Sequence, residues 1–150
     1  MFGKILAPVD GSEMALGAAK LALELARTHG SEVTFLYVVG VDILLTDQST
    51  YGQFIDYVGL EKVLREGGEK ILSETLALAQ SMGIAARTVM LEGHVASEIL
   101  RLAEEDKYDL IAMATHGRGG LKRLVLGSVA EAVTRQATCP VLLVRSPGDQ

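Results

Sequence analysis

Short apolar runs alternate along this chain with longer segments whose apolar residues recur every three to four positions. Residues 4–9 read as a strand that stops at the turn cluster Asp10-Gly11-Ser12, which also supplies N-cap candidates. Over 13–29, Met14, Ala18, Leu21, Ala22, Leu25 and Ala26 keep helical spacing, and Gly30 stands where a helix C′ glycine belongs. Residues 33–39 are β-branched, aromatic and nearly all apolar, the pattern of a strand buried on both faces. Helical spacing returns over 60–82, interrupted by Gly67 and Gly68. Each glycine weakens a helix by ~1 kcal/mol relative to alanine, so the pair marks a close contact or a kink. A strand at 86–91, a helix at 96–105, a strand at 110–114, a helix at 128–136 and a strand at 141–144 follow, with a polar tail over 146–150. Strict alternation of this kind implies an α/β fold, a three-layer sandwich with a parallel sheet and helices on both faces. A length of 150 residues with no repeat, low-complexity tract or linker suits one domain, 1–150.

Charge and composition exclude several functions. The net charge is −5, which argues against a nucleic-acid surface. No apolar stretch approaches the length needed to span a bilayer, and the opening apolar run is too short for a signal peptide. The expected setting is cytoplasmic, without membrane or nucleic-acid partners. The single cysteine, Cys139, allows no internal disulfide and reads as a small packed residue. Residues 40–59 keep no clean period, and so long a connection is usually functional or mobile. Tyr51, Phe54 and Tyr57 within it read as a lid or packing patch.

In open α/β sheets, ligands bind beyond the carboxyl ends of the strands, where the strand order reverses. Asp10, Gly11 and Ser12 follow strand one; Gly40 follows strand two; Glu92, Gly93 and His94 follow strand three. Strand four runs into Ala114-Thr115-His116-Gly117-Arg118-Gly119-Gly120, and Gly127-Ser128 then opens a helix. Glycines let backbone N–H groups approach an anion, and a helix N-terminus offers N–H donors and a favourable dipole. Arg118, Lys122 and Arg123 add positive charge in an otherwise acidic chain. The Ser128 hydroxyl either caps its own helix or bonds a phosphate oxygen. The stretch is neither a Walker A loop nor the G-x-G-x-x-G fingerprint. A glycine-rich surface turn is the competing reading.

Three motifs resemble the universal stress protein family. Pro8-Val9-Asp10-Gly11-Ser12 looks like the family's opening. Ala114-Thr115-His116-Gly117, nine further residues and Gly127-Ser128 are similar to its ATP-binding pattern, G-x-x-G-x9-G-[ST]. Cys139-Pro140-Val141-Leu142-Leu143-Val144 is similar to its final strand. The resemblance covers essentially the whole chain. It implies a five-stranded parallel sheet of order 3-2-1-4-5, Rossmann-like and of the adenine nucleotide alpha hydrolase kind, in a protein that is usually a dimer. It implies ATP, AMP or another adenine nucleotide as ligand, with Mg²⁺ carried on the phosphates. Pro8, Asp10 and Val38 would line adenine and ribose; Met113, Ala114 and Thr115 would follow the ribose, and His116 belongs to the same nucleotide-binding set. Gly117, Arg118, Gly119, Gly120, Gly127, Ser128 and Val129 would surround the phosphates. Ala114 departs from the pattern, which begins with glycine. If that position needs a positive φ, alanine costs roughly 1–2 kcal/mol; in extended geometry it adds only a methyl near the ribose.

Asp10 accepts a bond from ribose, helps hold a Mg²⁺ water or caps a helix. His116 has no second histidine or cysteine at ligand spacing, so a metal site is not expected, and a general-base role for it lacks a partner motif. His94 reads as a tolerated surface residue, and Glu104-Glu105-Asp106 as a solvated helix end. An apolar strand 141–144 at the sheet's edge needs covering, and pairing with a two-fold mate gives a homodimer. The function expected is a nucleotide-dependent sensor or regulatory dimer. The alternatives are a slow ATPase, for which the chain shows little machinery, and a nucleotide-free dimer acting through protein contacts. A receiver domain would want paired acids after strand one, where Asp10 stands alone.

Overall fold

A computed structural model describes residues 2–41, 57–116 and 126–145. The elements run β1 (Lys4–Pro8), α1 (Glu13–His29), β2 (Glu32–Gly40), α2 (Tyr57–Ser81), β3 (Ala86–Gly93), α3 (Val95–Glu105), β4 (Leu110–Ala114), α4 (Ser128–Gln136) and β5 (Val141–Val144). All four strand pairs are parallel, and the sheet order is β3-β2-β1-β4-β5. The chain therefore steps outward from β1 to β3, then crosses back to β4 on the other side of β1. That reversal opens the crevice at the carboxyl ends of β1 and β4.

Residue alternation along the strands builds two cores. Ile5, Ala7, Val33, Phe35 and Leu110 face α1 and α2, meeting Ala19, Ala22, Leu23 and Leu72. Leu6, Leu36, Ile111 and Met113 face α3 and α4, meeting Ile99, Leu102, Ala130 and Val133. The cysteine joins this second core: Cys139 is half-buried, and desolvation pushes its thiol above the ordinary value.

Element ends follow their local chemistry. Ser12 is the N-cap of α1, its hydroxyl accepting from the Ala15 N–H at 3.1 Å. Gly30 closes the helix at φ 67°, where a Cβ would be strained. β3 reaches Gly93, two residues beyond the sequence expectation, because Glu92 and Gly93 pair with Val39 and Gly40. Glu92, Gly93 and Gly40 thus belong to strands and not to turns. Arg65 of α2 holds Glu92 at 2.5 Å and Glu61 at 3.0 Å, and these two carboxylates, Glu61 first, raise the guanidinium's affinity for its proton.

α2 begins three residues before the expected start and runs unbroken through Gly67 and Gly68. Of the two readings of that pair, close contact holds for Gly68. A Cβ there would lie 2.5 Å from the Tyr37 ring and 2.9 Å from Met90 Cε. Gly67 faces open space. At the amino ends of the strands, buried Tyr108 donates to Thr34 Oγ1 at 2.8 Å, and Arg87 donates to both. Of the expected aromatic patch, Tyr51, Phe54 and the side chain of Tyr57 lie outside the described residues. No helix among the described residues is long and apolar enough to cross a membrane.

Candidate functional site

Four of the expected residues share one face of the sheet near its carboxyl edge. Val38, Met113 and Val129 belong to the core on the α3–α4 side, and the alternation that turns Leu6 to that side turns Pro8 with it. Asp10 follows β1 directly. Its Oδ1 accepts from both the Ser12 N–H at 2.9 Å and the Ser12 hydroxyl at 2.6 Å. Asp10 is therefore not itself the helix cap; it braces the residue that is. Gly11 turns the chain between them at φ 88°.

The end of β4 and the start of α4 meet at this same edge. The Gly127 N–H donates to the Thr115 carbonyl at 2.9 Å, and the Thr115 N–H donates to the Val144 carbonyl at 3.2 Å. A Cβ on Gly127 would lie 2.9 Å from the Thr115 oxygen and 3.3 Å from His116 Cα. Only a residue without a side chain fits this approach. Gly127, at φ −60° and ψ 151°, is the N-cap of α4 and has no side chain to cap with. Ser128 is the exposed first residue of the helix, so it does not act as the cap. The N–H groups of Ser128, Val129 and Ala130 have no partner within the helix, while that of Glu131 bonds the Gly127 carbonyl at 2.8 Å. The crevice thus has a helix N-terminus with its positive dipole end on one side and the β1 turn on the other.

Ala114 lies in β4 and pairs with Val144, so its backbone is extended and no positive φ is asked of it. By the alternation that sends Leu110 and Ala112 toward α1, the Ala114 methyl points to the face opposite Met113. The feared strain is absent, and the methyl is not turned toward the crevice. Thr115 and His116 are buried. Their contact with Gly127 was not legible in the sequence, where nothing distinguishes a buried histidine from an exposed one.

Gly117, Arg118, Gly119 and Gly120, with Lys122 and Arg123, lie outside the described residues. Among the described residues no three His, Cys, Asp or Glu side chains come together to hold a metal ion. A cleft of about 300 Å³ between α1 and α2, lined by Val9, Ser12, Leu16, Lys20, Ile71 and Leu78 among others, lies on the other side of the sheet from Met113 and Val38. Among the described residues neither β4 nor α4 lines it, though it shares the β1 turn through Gly11 and Ser12.

Comparison with known proteins matches residues 1–145 to the model of the universal stress protein family. The chain is 40% identical over 149 residues to universal stress protein MJ0531 of Methanocaldococcus jannaschii, covering 98% of this chain and 84% of that protein. Among solved structures it is similar to protein MJ0577 of the same organism, with a TM-score of 0.86 at 28% identity over 99% of each chain. Two further structures share the fold with a TM-score of 0.69 each. One is a universal stress protein in complex with cAMP, 20% identical, with 96% of this chain and 97% of that one covered. The other is a family protein of Arabidopsis thaliana with AMP bound, 16% identical, with 97% and 93% covered.

Proposed function

The chain belongs to the universal stress protein family, and from that premise we propose that it binds an adenine nucleotide, ATP foremost, in the crevice between β1 and β4, and that it works as a nucleotide-dependent regulatory homodimer. The observation that carries the reading is the approach of Gly127 to Thr115, 2.9 Å from N to O, which seats the first turn of α4 at the end of β4 where the strand order reverses. Backbone N–H groups at a helix N-terminus, with no Cβ in the way, make a cradle for a phosphate. Pro8, Val38 and Met113 offer an apolar wall for a base, and Asp10 stands at the turn where a ribose would lie. Thr115 and His116 lie buried behind Gly127 at the end of β4. The family pattern assigns Gly117, Arg118, Gly119 and Gly120 to the phosphates together with Gly127, Ser128 and Val129. Relatives of the same fold that hold AMP and cAMP lend support to the adenine class. A Mg²⁺ ion would come with the phosphates, since the described residues assemble no cage of their own.

Regulation is favoured over turnover because Asp10, an acid at this edge, already accepts two hydrogen bonds from Ser12 through Oδ1. Hydrolysis needs a group to position water, and one committed carboxylate oxygen supplies little of that. Calorimetric titration of Mg-ATP into nucleotide-stripped protein tests the reading, with Ser128→Ala alongside. Saturable binding that weakens about tenfold or more in the variant is expected, since a hydrogen bond to a charged group contributes roughly 1.5–3 kcal/mol. Folded protein that takes up no ATP would remove the nucleotide and leave a dimer acting through protein contacts.

A further inference from the structure

Thr115 uses all three of its polar groups at the mouth of the crevice. Its N–H donates to Val144, its carbonyl accepts from Gly127, and its hydroxyl meets His116 Nδ1 at 3.1 Å. The two side chains are 8% and 6% exposed. The His116 ring also backs onto Gly127, whose added Cβ would lie 3.8 Å from its Cδ2. An imidazole and a hydroxyl buried side by side are costly unless their polar atoms are satisfied, and a Val–Leu pair would fill the space at no such cost. A polar pair in this place specifies geometry: the bond fixes the ring's rotation, the ring packs behind Gly127, and Gly127 carries the first turn of α4.

We propose that His116 is a positioning residue for the ligand's phosphate. Through Thr115 it holds the start of α4 at the angle that presents the Ser128 and Val129 N–H groups to the crevice. It sets affinity for the phosphate and not for the base, whose expected wall, Pro8, Val38 and Met113, does not depend on that angle. The inference rests on the nucleotide reading above.

The experiment compares ATP with adenosine, which has the base and ribose but no phosphate, by calorimetry on wild type, His116→Asn, His116→Leu, Thr115→Val and the His116→Leu/Thr115→Val double variant. His116→Leu is expected to lose about tenfold in ATP affinity, or ~1.4 kcal/mol, while adenosine affinity moves less than about twofold. His116→Asn keeps a polar atom near the Nδ1 position and is expected to recover most of the loss. Thr115→Val removes the hydroxyl and keeps the shape; it should reproduce the loss, and the double variant should add little to it. If His116→Leu does not fold, Thr115→Val and His116→Asn carry the same comparison. Equal losses for ATP and adenosine would mean a merely structural role and overturn the proposal. Undiminished ATP affinity in Thr115→Val would do so too. Wild type that binds adenosine and ATP equally well would show that no phosphate is held here. Wild type that binds neither would sink the nucleotide reading itself, and this inference with it.

Discussion

Two neighbouring glycines in α2 show how far a single residue's meaning depends on what it faces. Gly67 meets nothing within 4 Å of a built Cβ, so alanine there gains helix propensity without a clash. Gly67→Ala is expected to raise stability by roughly 0.5–1 kcal/mol. Gly68 lies over the Tyr37 ring, which is buried in β2 and has no room to retreat. Gly68→Ala should therefore lower stability by about 1–2 kcal/mol, overpacking outweighing the propensity gain. Urea unfolding of the two variants checks the pair, and a similar sign for both would refute the close approach. Ala114 makes the same point at the crevice. The family pattern begins with glycine, but this position is an ordinary strand residue with extended backbone, so alanine carries no strain there.

At the scale of the element, α1 is the clearest case of sequence chemistry becoming structure. Asp10 bonds Ser12 twice, and Ser12 caps the helix, so the two side chains act as one device. Ser12→Ala is expected to cost about 1 kcal/mol. Asp10→Ala should cost a similar amount, and the double variant should fall short of their sum in urea unfolding. Additive losses would mean that Asp10 acts apart from the cap. Such devices made the fold legible: Ser12, Gly30 and the helical spacing between them placed α1 without error, and the apolar runs placed all five strands. What the sequence left out was pairing. β3 runs on to Gly93 because β2 offers partners at Val39 and Gly40, a condition that no local pattern records. The candidate site was legible as a motif, because glycine and serine spacing survives in one dimension. Its internal contacts were not. Ser128 looked like a cap because serine usually is one, yet Gly127 takes that position since only it fits against Thr115.

The whole molecule presents two sheet edges that are unlike. β3 carries Arg87 and Glu92, each in ion pairs with neighbouring elements, and charged side chains discourage further strand pairing. β5 carries Val141, Leu142, Leu143 and Val144, all half-buried and none charged. The carbonyls of Pro140 and Val144 bond β4, at Ile111 and Thr115. With a period of two, the backbone groups of Val141 and Leu143 turn outward from the sheet. An uncharged apolar edge with outward donors and acceptors invites a second strand, and a two-fold mate supplies one while closing the assembly. The chain is therefore expected to run at twice its 16.0 kDa mass at micromolar concentration in sedimentation or light scattering. Leu143→Pro removes an outward N–H without removing a bond to β4, a substitution that edge strands tolerate. It should shift the protein to the monomer mass with its far-ultraviolet circular dichroism retained. A monomeric wild type would defeat the expectation outright. A dimer that survives Leu143→Pro would move the interface to another surface.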